Sequence, residues 1–223
     1  MINEKNISKI ESDLFGGFWP GIQLYYPPVK YSPSNSTYED LEAASARFKK
    51  HAHQTIAHTL IFDLEDGCSK KELSRELLKL ELGGLRKSRP DVQIAIRINP
   101  FRTTEFEKDI TLLKVVSDYV DVVMLAKAGE AYGSAEVRDL SSILLDLNPK
   151  ITIQPIIEHP RSLKIVPDLM SYNTVKHVVF GIHDFSKAMG INITPTNWIE
   201  ELTYFLNQIM FEARIAGKGV IGG

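Results

Sequence analysis

The chain has 223 residues, 43% of them hydrophobic and 24% charged, with a formal net charge of -2 and one cysteine, Cys68. This is the composition of a globular protein large enough to bury a substantial core. It offers no excess charge to attract nucleic acid or a membrane surface, rules out an internal disulfide framework and fits a reducing, cytoplasmic setting. No apolar run approaches the ~20 residues that cross a bilayer. The polar, acidic start MINEKNISKIESDLFGG does not read as a signal peptide.

Taken in chain order, residues 1–20 read as an N-terminal extension of a single domain. IQLYYP (22–27) is the first strand, and PPVKYSPSNS (27–36) is a rim loop. STYEDLEAASARFKKHAHQTIA predicts a helix, with Ser36 and Glu39 in capping-box relation. TLIFDL (59–64) is the second strand, and SKKELSRELLKLEL a helix with Ser69 and Glu72 in the same relation. QIAIRI (93–98) and TTEFEKDITLLKVV, DVVMLA (121–126) and SAEVRDLSSILLDL, and ITIQPII (151–157) and RSLKIVPDLMSY repeat the pair. HVVFGI (177–182), the helix NWIEELTYFLNQIMFEARIAG and GVI (219–221) complete it. Most strands are apolar on both faces, as in a covered parallel sheet. Strict alternation of strand and helix predicts an α/β fold.

No Gly-rich phosphate loop follows any strand, which argues against a nucleotide-binding doubly wound sheet. Polar residues instead gather at strand C-terminal ends: Asp63, Glu65 and Asp66; Arg97 and Asn99; Lys127; Glu158 and His159; His183 and Asp184. A (β/α)8 barrel collects its chemistry in that way. Such a barrel needs eight strands, and this pattern reaches GVIGG after seven. The expected fold is therefore a (β/α)8-type barrel incomplete at its C-terminus. Its missing strand would belong to a longer protein, be lost from an open barrel, or be covered by a partner chain.

Within this pattern Arg97 needs an anionic partner, because it interrupts an apolar strand. Glu158 ends an apolar strand, and with Asp184 it makes a hard-oxygen pair suited to Mg²⁺. Asp184 alone would read as the N-cap of the next helix. His51, His53 and His58 read as solvated, and Gln154, Cys68 and His177 as packing or local hydrogen bonding.

FDLEDG, IRIN, LAKAGE, IIEHP and VVFGIHDFSKAMG, in this order, resemble the citrate lyase β-subunit-like enzymes of the HpcH/HpaI aldolase group. The resemblance spans residues 22–223. It implies a Mg²⁺-dependent barrel that makes or breaks a carbon–carbon bond next to a carbonyl. By that resemblance Glu158 and Asp184 hold the metal, and Arg97 binds the substrate carbonyl or carboxylate, with Asn99 beside it. Glu65 and Asp66 match the acidic pair after the second strand, and Lys127 the lysine after the fourth. Ala126 and His159 stand where the family has proline and threonine, and no arginine precedes Arg47 to hold coenzyme A. The YYPP start resembles a divergent lyase branch more than citrate lyase itself. The expected activity is an aldolase or lyase of a small 3-hydroxy acid or its acyl thioester, acting through an enolate with Asp66 or Glu65 as base. Thioester hydrolysis or condensation on the same metal, or a non-catalytic binding barrel, are the alternatives. A coenzyme A thioester as substrate and assembly as a homo-oligomer are further expectations.

Overall fold

The computed structural model describes residues 22–32, 37–194 and 196–222. The N-terminal extension and Ser36 lie outside them. The described chain forms two compact units, residues 22–126 with 142–151, and residues 127–141 with 152–222.

The first unit holds four parallel strands in the order β1 (Gln23–Tyr26), β4 (Thr59–Asp63), β5 (Gln93–Ile98) and β6 (Val122–Leu125). Across the expected rim loop β2 (Tyr31–Ser32) and β3 (Thr37–Tyr38) pair antiparallel, and residues 33–36 lie outside the described residues. Helices α1 (Leu41–His51), α2 (Lys71–Ser88) and α3 (Thr104–Val116) fill the intervals. Two predicted caps shift. Asp40, not Ser36, caps α1 by accepting the N–H of Ala43 at 2.8 Å. Lys70, not Ser69, precedes α2, and its side chain does not cap. Thr103 caps α3 by accepting the N–H of Phe106.

The strand period of two sorts this sheet's faces. Tyr26 and Phe62 point to the side where α1 packs, and their rings surround Phe48 with centroids 5.8 and 5.3 Å away. Leu77, Leu78, Leu82 and Leu85 of α2 are fully buried on one stripe. Tyr25, Ile61, Asp63, Ala95 and Arg97 take the opposite face, because the strands pair Tyr25 with Ile61 and Asp63 with Arg97.

The second unit carries the parallel strands β7 (Thr152–Ile157), β8 (His177–Phe180) and β9 (Gly219–Gly222). Helix α4 (Ala135–Leu147) contributes its first half here. The helix expected over RSLKIVPDLMSY is two, α5 (Pro160–Leu163) and α6 (Val166–Ser171). Pro167 has no N–H to donate back to Leu163, so the helix stops and restarts with proline in its first turn. Strand β8 ends at Phe180, and Ile182 opens an eight-residue helix, α7 (Ile182–Met189). Helix α8 (Trp198–Ile215) buries Leu202, Ile209 and Ala213. Phe180, Phe185 and Phe205 join β8, α7 and α8 at centroid distances of 4.9 and 5.0 Å. Among the described residues no helix is long and apolar enough to cross a membrane.

Candidate active-site residues

The acidic run after β4 is not a solvated loop. Because Asp63 and Arg97 are register partners on adjacent strands, their side chains emerge side by side. Arg97 donates Nε to Asp63 Oδ1 at 2.7 Å and Nη2 to Oδ2 at 2.6 Å, a bidentate pair. Its Nη1 lies 3.5 Å from Glu65 Oε2, and its guanidinium stands 5.2 Å above the ring of Tyr25. Burial disfavours the charge on Arg97, but the hydrogen-bonded Asp63 outweighs it and pushes the pKa up. The anionic partner that the apolar strand demands is thus Asp63, with Glu65 behind it. Among the strand-end acids Asp63, Glu65 and Asp66 the sequence does not show which answers Arg97, and the structure selects Asp63. Its signal was its place in the strand, level with Arg97.

The turn itself is built from these acids. Asp63 Oδ1 also accepts the N–H of Glu65 at 2.9 Å, and Glu65 Oε2 accepts the N–H of Asp66 at 2.7 Å. Asp63 and Glu65 are buried, whereas Asp66 is exposed. Gly67 closes the turn because a Cβ there would lie 2.2 Å from Asp63 Oδ2.

Asn99, one residue past β5, has its amide engaged by protein groups. Nδ2 donates to Leu64 O at 2.8 Å and to Asp109 Oδ2 at 2.7 Å, while Oδ1 accepts from Lys71 Nζ. Asp109 is fully buried and also accepts from Asn99 N and Arg75 Nε, each at 2.8 Å. Burial pushes the Asp109 carboxyl up, against the hydrogen bonds from Asn99 and the charge of Arg75. Lys71, Arg75 and Asp109 were not singled out from sequence, because on a helix they read as ordinary surface charges.

The second unit holds the other acids. Glu158 follows β7 and is 5% exposed. Its Oε2 accepts the N–H of Lys127 at 3.0 Å. Lys127 is half-buried in a left-handed conformation, φ 52°. Gly181 is pinned beside Glu158 by its N–H bond to Ile157 O at 3.0 Å. A Cβ at 181 would lie 2.4 Å from Glu158 Cγ and 3.0 Å from Oε1, so only glycine leaves room for this carboxylate. Asp184 is half-buried in the first turn of α7; Gly181, not Asp184, takes the N-cap position. His159 caps α5, its Nδ1 accepting from Arg161 N at 3.1 Å. Glu130 is half-buried; burial raises its pKa, His159 and Lys127 oppose the rise, and Glu136 and Asp184 add to it.

Among the described residues no group of three or more His, Cys, Asp or Glu side chains is placed to hold a metal. The donors this unit offers are carboxylates such as Glu158 and Asp184, a ligand type that suits Mg²⁺ when water and substrate oxygens complete the shell. The space kept for Glu158 by Gly181 fits that use. His51 and His58 are exposed, and His53 bonds Ser88 Oγ at 2.7 Å. Cys68 is buried against Ser74 Oγ at 3.2 Å, and burial raises its thiol pKa. Gln154 is buried, and its Oε1 has no partner among the described residues.

Comparison with known proteins adds a family and a fold. A sequence model of the family described as HpcH/HpaI aldolase/citrate lyase matches residues 41–222. A citrate lyase structure from Burkholderia xenovorans LB400 superposes with a TM-score of 0.71 at 17% identity, covering 92% of this chain and 63% of that one. The citrate lyase β subunit from M. tuberculosis, complexed with oxaloacetate and magnesium, gives 0.64 at 20% identity, covering 92% and 78%. A structure of protein CitE from Mycobacterium tuberculosis with magnesium, acetoacetate and coenzyme A gives 0.63 at 19%, covering 91% and 64%. These likenesses show the fold, that of the citrate lyase-type (β/α) barrel. Phosphomethylpyrimidine synthase 2 of Methanosarcina barkeri is 25% identical over 173 residues, 70% of this chain, which spans only 38% of that protein's length.

Proposed function

The chain belongs to the HpcH/HpaI aldolase/citrate lyase family, and from that premise we propose that it is a Mg²⁺-dependent carbon–carbon lyase. Its substrate is a small 3-hydroxy acid or the acyl thioester of one, cleaved or formed through an enolate. The observation that carries this reading is the Arg97 fork, fixed by Asp63 and Glu65 against Tyr25. Cleavage between the α and β carbons leaves negative charge on an enolate oxygen. A preorganised cation that need not move as the charge develops is the strongest means of stabilising it. Asp63 and Glu65 hold Arg97 so that its remaining N–H groups present a fixed direction to that oxygen.

The division of labour among the acids follows their burial. Asp63 and Glu65 are positioning residues for the arginine. Asp66 is exposed at the same turn and accepts the proton leaving the substrate hydroxyl. Asn99 fixes the backbone after β5 through Asp109 and so sets the level of Arg97. Glu158 and Asp184 would hold Mg²⁺, the metal in the complexes of the M. tuberculosis proteins. Bound there, Mg²⁺ would supply Lewis-acid stabilisation of the negative charge that develops on the substrate. Lys127 fixes Glu158 through its backbone and adds a positive charge near Glu130. The coenzyme A complex of one neighbour favours thioesters as a substrate class to test.

The deciding experiment incubates the protein with Mg²⁺ and a panel of 3-hydroxy acids and their coenzyme A thioesters, with products identified by mass. Shortened carbon skeletons that require Mg²⁺ are expected. Free thiol with the skeleton intact would replace the lyase with a hydrolase. No product from any substrate, with no heat of Mg²⁺ binding, would overturn the proposal.

A further inference from the structure

We propose that Glu136 is a positioning residue for the metal-binding carboxylate Glu158, acting through the turn that carries Lys127. The inference rests on the reading of Glu158 as a metal ligand. Glu136 lies in the first turn of α4 and is 2% exposed. A buried carboxylate is costly unless its charge is answered. Here it is answered by backbone. Oε2 accepts the N–H of Gly129 at 2.6 Å, and Oε1 accepts those of Ala131 at 3.1 Å and Tyr132 at 2.8 Å.

Those three bonds fix one side of the turn, and the other side reaches β7. Lys127 N donates to Glu158 Oε2 at 3.0 Å, and Ala128 N donates to Ile156 O at 3.1 Å. Glu130 N closes the turn on Lys127 O at 3.3 Å. Every backbone N–H from Lys127 to Tyr132 therefore has an acceptor, and Glu136 supplies half of them. Lys127 needs this scaffold, because a left-handed backbone brings a side chain's Cβ too close to the following carbonyl oxygen. Such a conformation persists where its surroundings over-determine it. With Glu136 removed, three N–H groups lose their acceptor and Lys127 is free to relax. Its N–H then leaves Glu158, and the carboxylate loses one of the contacts that orient it. Partners outside the ligands themselves commonly change metal affinity by ~10–100-fold.

The test compares wild type with Glu136→Gln and Leu140→Ala. The glutamine turns one acceptor into a donor facing a donor. Leu140 is fully buried on the same helix, so its truncation controls for lost stability alone. Titration calorimetry with MgCl₂, well below each melting temperature, should show ~10-fold or weaker affinity in Glu136→Gln and wild-type affinity in Leu140→Ala. Without metal, hydrogen exchange at the Lys127 amide should be faster in Glu136→Gln only. Should the glutamine variant not fold, Glu136→Asp keeps the charge but is too short for all three donors, and the same two readouts apply. Unchanged Mg²⁺ affinity and unchanged Lys127 exchange in a folded variant would overturn the inference. A wild type that binds no Mg²⁺ would instead overturn the metal reading on which it rests, while the Lys127 exchange still reports whether Glu136 controls the turn.

Discussion

Replacing Gly67 with alanine should uncouple Arg97 from Asp63. The added methyl would lie 2.2 Å from Asp63 Oδ2 and 3.7 Å from Arg97 Nη2. Ordinary carbon–oxygen contact requires the carboxylate to retreat by about 1 Å or more. A free aspartate would swing aside at little cost. This one is held by two bonds of 2.7 and 2.6 Å to Arg97, and a retreat of that size takes both out of hydrogen-bonding range. Charge-assisted bonds contribute about 1.5–3 kcal/mol each. Arg97 retains Glu65, and alanine stiffens the unfolded chain in its favour by about 0.4–1 kcal/mol. The net expectation is a destabilisation of about 2–5 kcal/mol, read by urea unfolding. A double-mutant cycle isolates the cause. In an Asp63→Ala background there is no carboxylate to displace, so Gly67→Ala should become neutral or slightly stabilising. Equal destabilisation in both backgrounds would refute the reasoning, as would a neutral Gly67→Ala in the wild type.

Three further perturbations follow from the same geometry. Arg97→Lys keeps the charge but loses the fork, so turnover should fall by ~10²-fold or more; wild-type turnover in steady-state assays would show the fork to be dispensable. Asp109→Ala takes their shared acceptor from Arg75 and the Asn99 N–H groups, although Arg75 keeps Glu105, and should cost about 1–3 kcal/mol in chemical unfolding; a loss below about 0.5 kcal/mol would contradict the network. Burial, with the nearby charge of Lys176, lowers the Lys218 pKa to about 8, against ~10.4 for an unperturbed lysine. The unfolded chain then binds the extra proton between those values. Stability should rise with pH from about 8 to about 10.4 and be flat below about 8, relative to Lys218→Met; identical pH slopes in the two proteins would exclude this.

The sequence by itself determined the run of seven parallel strands, because apolar strand segments separated by amphipathic helices leave little else for the chain to form. It also placed Arg97, Glu158 and Lys127 at strand ends, since the period of the elements sets those positions locally. Asp184 was legible as an acid but not as part of α7. The Gly181–Ile182 step reads as more strand until the helix that follows is seen, and helix starts without a side-chain cap leave a weak signal. What the sequence could not assign was which acid answers Arg97. Three carboxylates lie within four residues, and one residue of register decides among them; the pairing of β4 with β5 selects Asp63. The same holds for Glu136 and Asp109, which as letters in helices resemble any surface acid. Their roles come from burial and from backbone N–H groups brought to them by the fold. Gly67 and Gly181 likewise read as turn residues, and only the packed structure shows that each makes room for a carboxylate. Local pattern fixes elements and strand ends, whereas partners between residues distant in sequence depend on register and packing, which no local pattern contains.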